Sequence, residues 1–153
     1  ITPFSHNHGA WDIVGEYMEC MTVDHAEAMT GNYFTKDLIL KGSLIQETGY
    51  SHLLGARIQG AMRGYYGGFT GENEVSILMN HYGMKKLVTV EYPWVFGKEY
   101  FFEFSLDRDQ LQLSINGENV ITVQDSTLKY GMVGYAKYAL GRTKFNDLSV
   151  KEL

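Results

Sequence analysis

The sequence predicts an all-β protein, an antiparallel two-sheet β-sandwich, and three observations carry that prediction. Several segments alternate apolar and polar residues with a period of two, the pattern of a strand with one buried face. Gly49, Gly60, Gly67, Gly68, Gly71, Gly83, Gly97, Gly131 and Gly141 cut the chain into short pieces at the spacing of a sandwich or barrel. The composition, 17 Gly and 11 Tyr against 2 Pro in 153 residues, favours turns and strands over long helices. Strands with one apolar face each must pair face to face, because a single sheet would leave the Phe, Leu and Val faces in water.

Taken in order, residues 1–10 (ITPFSHNHGA) are polar and turn-rich and are expected to form an irregular lead-in, with one domain over residues 11–153. At 44% apolar and 20% charged the balance is that of an ordinary globular chain, long enough to bury about 70% of its unfolded surface around one core. Cys20, the single cysteine, is flanked by Met18 and Met21 and reads as a buried thiol. Alone, it rules out an intrachain disulfide and a cysteine-based zinc site. Val23 to Met29 (VDHAEAM) is the one stretch with helical character, too short to stand alone.

The strands follow. Asp37 to Gln46 sets Leu38, Leu40 and Leu44 on one face and Lys41 and Ser43 on the other. Ser51 to Gly60 sets Leu54, Ala56 and Ile58 against Arg57 and Gln59, and Arg63, Tyr65 and Tyr66 lie on the next segment, its expected antiparallel neighbour. In Glu74 to Asn80, Val75, Ile77 and Met79 alternate with Ser76, Leu78 and Asn80. Trp94, after Pro93, is placed in a connection where it caps an edge of the core. Lys98 to Leu106 sets Tyr100, Phe102, Phe104 and Leu106 against Phe101, Glu103 and Ser105. Two strand-like runs then flank Asn116-Gly117, a dipeptide that tolerates positive φ. A two-residue turn would oppose Leu111 to Thr122 and Leu113 to Val120. A three-residue loop, Ile115 to Gly117, would oppose Leu111 to Ile121, and the apolar pattern favours it.

Charge narrows the function. The net charge is −5 and the longest cationic run is Lys85-Lys86, which argues against a nucleic-acid partner. No apolar stretch approaches ~18 residues, so no membrane span is expected. Beginning at Ile1 with no charged–apolar–small leader pattern, the sequence reads as a piece of something longer or a processed form.

Four runs carry a resemblance: GARIQGAMRGYYGGF at Gly55 to Phe69, LQLSINGENVITVQD at Leu111 to Asp125, YGMVGYAKY at Tyr130 to Tyr138, and KFNDLSV at Lys144 to Val150. Their order over residues 12–153 resembles the concanavalin A-like (laminin G-like) jelly-roll domain. In particular it is similar to the accessory domain of bacterial ADP-ribosylglycohydrolase-type proteins, and more loosely to sugar hydrolases of the 3-keto-disaccharide type. The resemblance implies two curved sheets, with ligands on the concave face or the loops at its rim. It does not extend to chemistry. The ADP-ribosylglycohydrolase catalytic domain is helical and clusters acidic residues on two metal ions, and neither feature is here. The Glu-x-Asp-x-x-Glu strand of jelly-roll glucanases is also missing; Glu72-Asn73-Glu74 is the nearest approach and reads as a turn.

A glycosidase needs two carboxyls about 5–9.5 Å apart. Glu16 and Glu19 should point to opposite faces. Glu72 with Glu74, Glu99 with Glu103, and Asp107 with Asp109 share faces but read as solvated pairs, so no catalytic residue is assigned. His6 and His8 form an H-x-H in the lead-in, and His25, His52 and His81 are scattered, so no metal ligand is assigned. A structural calcium would take Asp147 with Glu16 or Glu19, short of the six to eight oxygens calcium prefers.

Sugars present apolar C–H faces and a rim of hydroxyls, which Tyr stacks on and Arg, Asn and Gln bond. The candidate ligand-binding residues are therefore Arg57, Gln59, Arg63, Tyr65, Tyr66, Asn80, Tyr82 and Tyr138. The expected function is a non-catalytic, lectin-like module that binds a carbohydrate or glycoconjugate beside the catalytic domain of a larger hydrolase. A glycoside hydrolase relative, or an oligomerisation domain without its own ligand, are the alternatives.

Overall fold

The computed structural model describes residues 4–7, 9–60 and 63–153, with the side chains of residues 6 and 7 outside that description. Every regular element among them is a strand: β1 (Ser5–Asn7), β2 (Ala10–Val14), β3 (Tyr17–Thr22), β4 (Ala26–Thr30), β5 (Leu38–Gly49), β6 (His52–Gly60), β7 (Arg63–Gly71), β8 (Glu74–Asn80), β9 (Met84–Glu91), β10 (Glu99–Asp107), β11 (Gln110–Ile115), β12 (Glu118–Gln124), β13 (Met132–Lys137) and β14 (Gly141–Glu152). They form two seven-stranded sheets, the first ordered β1-β4-β13-β6-β7-β8-β9 and the second β12-β11-β10-β5-β14-β3-β2. The paired strands run antiparallel. Repeated passage of the chain between the sheets makes a jelly-roll sandwich, the fold class that the alternation predicts.

The inner faces supply the core as the period-two pattern requires. From the second sheet come Leu38, Leu40 and Leu44 of β5, Tyr100, Phe102, Phe104 and Leu106 of β10, and Leu111 and Leu113 of β11. From the first come Leu54 and Ala56 of β6, Tyr65 and Phe69 of β7, and Val75, Ile77 and Met79 of β8. Burial of each large apolar side chain contributes about 1.5–3 kcal/mol. Phe69 sits at an aromatic junction, stacked on Trp94 with centroids 5.0 Å apart and meeting Tyr100 and Phe102 edge-on. Trp94 closes this edge of the core and donates its indole N–H to the Gly71 carbonyl at 2.9 Å. Cys20 is buried, and burial pushes its thiol up to about 12.

Three expectations are corrected. The lead-in is not irregular where it is described: Ser5–Asn7 pairs with β4, and Ala10 already opens β2. The stretch with helical character holds no helix, because β4 lies between β1 and β13 and hydrogen-bonds to both, so sheet partners outweigh the helix preference of Ala and Glu. The β11–β12 hairpin follows neither simple register. It turns on two residues, pairing Ile115 with Glu118, and a bulge then shifts it by one, so that Leu113 opposes Ile121 and Leu111 opposes Val123. The bulge keeps the apolar residues of both strands on the core side.

Candidate functional site

The first sheet has a second, smaller apolar cluster on the face turned away from the core, built by Met29, Leu53, Ile58, Tyr66, Leu78 and Ala136 with Met132 and Tyr138 against it. Its shape comes from one row of paired residues. Met29 of β4, Gly134 of β13, Gly55 of β6, Tyr66 of β7, Leu78 of β8 and Lys86 of β9 are successive register partners. The missing side chain at Gly55 leaves room for the Tyr66 ring: a Cβ there would come within 2.9 Å of it, and one on Gly64 within 3.1 Å of its hydroxyl. Tyr66 is consequently fully buried although it faces outward.

The polar atoms of this face converge on that ring. The Tyr66 hydroxyl donates to Glu27 Oε2, and Tyr138 crosses the Tyr66 ring edge-on with centroids 5.2 Å apart. The Tyr138 hydroxyl is hydrogen-bonded to Tyr66 and Asn80, and Asn80 Oδ1 accepts the Gly83 N–H at 3.2 Å. Burial raises both phenols well above their ordinary value, and for Tyr66 the neighbouring Tyr138 and Glu27 add to it, so both remain protonated donors. Further along the same face the hydroxyls of Thr70 and Ser76 lie 2.7 Å apart, and those of Ser76 and Thr89 2.9 Å apart. Glu74 accepts from Thr70 and Lys86, and the hydrogen bond from Lys86 holds its carboxyl below the usual range.

Of the residues predicted from sequence, Tyr66, Asn80 and Tyr138 meet here. Arg63 and Tyr82 stand at the rim, with the guanidinium 5.3 Å from the ring centroid and Tyr82 exposed in the β8–β9 turn. Arg57, Gln59 and Tyr65 are corrected. A bulge between Ala56 and Gly60, with Arg57 at φ +49°, breaks the alternation of β6: Leu54 and Ala56 face the core while Ile58 faces outward. Arg57 turns inward instead, donating to the Lys36 carbonyl at 2.9 Å, the Leu128 carbonyl at 3.0 Å and Asp37 Oδ1 at 3.1 Å. Gln59 donates to the Tyr130 carbonyl at 2.9 Å. Tyr65 points into the core, donates to Asp125 and accepts the Leu128 N–H at 3.1 Å. These three side chains fasten the loops that follow β4 and β12.

Glu27 escaped the sequence reading because its segment looked helical, although Ala26, Ala28 and the outward Met29 already show the parity that turns it outward. Of the carboxylates read as solvated pairs, Glu99 accepts from Ser43 at 2.8 Å, Glu103 pairs with Lys41 at 3.8 Å and Asp109 with Lys129 at 3.2 Å, while Glu72 and Asp107 are exposed. Among the described residues no three of His, Cys, Asp and Glu group as a metal site, and Glu19, a calcium candidate, lies 3.5 Å from Arg142. His8 and the side chain of His6 lie outside the described residues.

No family model and no curated protein matches the sequence. The fold has clear likenesses among solved structures. A carbohydrate binding module, CBM66 from Bacillus subtilis, superposes with a TM-score of 0.91 at 15% identity over 99% of this chain and 96% of that one. A Bacillus subtilis protein of unknown function with a galectin-like fold gives 0.76 at 13% identity over 97% and 89%. The exoplasmic/lumenal domain of VIP36, bound to Ca2+ and Man3GlcNAc, gives 0.69 at 14% identity over 98% and 86%. None of the three bears on the ADP-ribosylglycohydrolase association, which rests on the sequence resemblance alone. At these identities the likeness establishes the fold: the chain is a jelly-roll β-sandwich of the kind found in the CBM66 module and in the exoplasmic/lumenal domain of VIP36.

Proposed function

We propose that the chain is a non-catalytic carbohydrate-binding module that holds its ligand on the outer face of the first sheet. The observation that carries this reading is the convergence of Tyr66, Tyr138 and Asn80 over an apolar floor, anchored by Glu27 beneath. The half-buried Tyr138 ring, backed by the buried Tyr66 ring, covers the C–H face of a pyranose or furanose ring, while the half-buried Asn80 exchanges hydrogen bonds with its hydroxyls. Glu27 fixes the Tyr66 hydroxyl, so the ring is set before the ligand arrives and little freedom is lost on binding. Arg63 and Tyr82 extend contact to the next sugar. Two similar structures, the B. subtilis module and VIP36 with its mannose-containing glycan, are carbohydrate binders by description, which supports the ligand class. In a longer protein such a module keeps a glycan near a separate catalytic domain and raises its local concentration.

Calorimetric titration with oligosaccharides chosen from a glycan array tests the reading. Tyr138→Ala and Asn80→Ala are each expected to weaken binding by about tenfold, about 1.4 kcal/mol, with no sugar released by the wild type at saturation. Unchanged affinity in both variants rules this face out.

A further inference from the structure

At the end of the sandwich where β6 meets β7, the loops after β4 and β12 carry three aromatic rings that the outer face does not use. Phe34 is 73% exposed and Tyr33 37%. Their centroids are 5.3 Å apart, and Tyr130 lies 5.4 Å from Tyr33 and 6.2 Å from Phe34, stacked on the latter at 29°. A ring cluster held in water leaves apolar surface uncovered, and such patches mark interaction sites.

This one is built rather than draped. Asn32 Oδ1 accepts the Phe34 N–H at 2.8 Å, and the Gly131 N–H bonds the Thr35 carbonyl at 3.0 Å, joining the two loops. From beneath, Arg57 holds the carbonyls of Lys36 and Leu128, and Gln59 holds that of Tyr130. Arg57 does this from a left-handed backbone conformation and at 1% exposure, both unfavourable for an arginine. Beside the rings lies a cleft of about 270 Å³, bounded by Thr30, Asn32, Thr35, Gly131, Met132 and Glu152 among others, in which Glu152 is the single charged residue among the described ones. One of its oxygens accepts the Thr35 hydroxyl at 2.9 Å. Met132 belongs both to this cleft and to the border of the outer face.

We propose that this rim is a second saccharide subsite, separate from the outer face and selective for a neutral hexose unit. The C–H face of the sugar stacks on Phe34 and its neighbours, and its hydroxyls donate to the Glu152 carboxylate, a charge-assisted bond that discriminates by geometry. The same carboxylate repels uronic acids and sialylated sugars. Arg57 and Gln59 are positioning residues for the platform.

Phe34→Trp turns the platform into its own reporter, since the two native tryptophans, Trp94 buried in the core and Trp11 half-buried against Phe145, are elsewhere and the wild-type emission can be subtracted. The variant is titrated with neutral gluco-, manno-, galacto- and fructo-tetrasaccharides and with tetragalacturonate. A saturable emission change with at least one neutral sugar and none with tetragalacturonate is expected. For that sugar Phe34→Ala weakens rim binding by about tenfold at an unchanged melting temperature. Gln59→Ala also weakens it without shifting the melting temperature, whereas a merely structural residue would move the melting temperature and leave affinity alone. Placing Tyr138→Ala in the Phe34→Trp background removes the outer-face contribution and keeps the emission change, which separates this subsite from the face. Emission that stays flat across the panel, an equal response to tetragalacturonate, or loss of the signal with Tyr138→Ala each overturns the proposal.

Discussion

A guanidinium cut off from water must find its partners inside the protein, and Arg57 finds two carbonyls and the Asp37 carboxylate. Asp37 in turn accepts the Arg108 N–H at 2.8 Å, so the contact reaches a further turn of the second sheet. Truncation leaves buried acceptors without donors, which is costlier than the loss of the bonds themselves. Arg57→Ala is expected to lower stability by about 3 kcal/mol in urea denaturation. The backbone at φ +49° gives a sharper test. Glycine normally weakens a strand relative to alanine, but here it alone adopts the conformation without strain, so Arg57→Gly should be more stable than Arg57→Ala by about 1 kcal/mol. The reverse order would show that the bulge relaxes when the arginine goes.

At the scale of elements, the outer face depends on β6 lacking a side chain where β7 lays its tyrosine. A methyl on Gly55 would sit 2.9 Å from both Ile58 Cδ1 and the Tyr66 ring, and neither can withdraw without leaving the cluster. Gly55→Ala is expected to cost about 1–3 kcal/mol and to change the near-ultraviolet dichroism of the tyrosines, with ligand affinity falling although the position touches no ligand. The same strands show what a sequence can and cannot reveal. The faces of β5, β8 and β10 are legible because their alternation is unbroken, which sets Asn80 on the outer face of β8; Tyr66 and Tyr138 stand out by residue type alone, since Tyr65 and Tyr66 are adjacent and of opposite parity. Parity fails across a bulge, which is why Arg57 and Gln59 were placed on a ligand face when the chain had already rotated beneath them. Tyr65 failed otherwise: its hydroxyl finds partners in the loop after β12, a long-range contact that no local pattern encodes. Glu27 was hidden by composition, since a short Ala-Glu-Ala run looks helical until two flanking strands claim its backbone. The rim rings are scattered over positions 33, 34 and 130, and only the loop closure assembles them.

For the whole molecule, the two sheets are joined by polar groups as well as by apolar packing. Lys137 of the first sheet donates to Thr143 Oγ1 of the second at 2.8 Å, and Thr143 Oγ1 lies 2.6 Å from His52 Nδ1. His52 Nε2 lies 2.8 Å from the Gly49 carbonyl, which only accepts, so the proton sits on Nε2 and Nδ1 takes the threonine hydrogen. Lys137 also donates to the Ser51 carbonyl at 2.6 Å. This chain requires a neutral imidazole. Burial, with Lys137 beside it, lowers His52 from 6.5 to about 3, and burial lowers Lys137 from 10.5 to about 8. Below pH 6.5 the unfolded chain therefore takes up a proton that the folded His52 refuses until about 3, so stability falls as the pH drops through this window. Between about 8 and 10.5 the folded Lys137 releases a proton that the unfolded chain keeps, so stability rises with pH. The depressed Glu74 and Asp125, with ordinary values of 4.5 and 3.8, add their own acid loss lower down; the raised Cys20 opposes the lysine from its ordinary 9.0 upward, and the raised Tyr65, Tyr66, Tyr135 and Tyr138 do so near their ordinary 10.0. Urea midpoints should accordingly decline from pH 6.5 to about 5 and climb from pH 8 to about 9. His52→Gln keeps a donor and an acceptor but cannot titrate, and should flatten the first slope alone; Lys137→Met should flatten the second alone. A wild-type midpoint that is level across both windows would mean that the sheets part enough at this end for water to reach the imidazole and the amine.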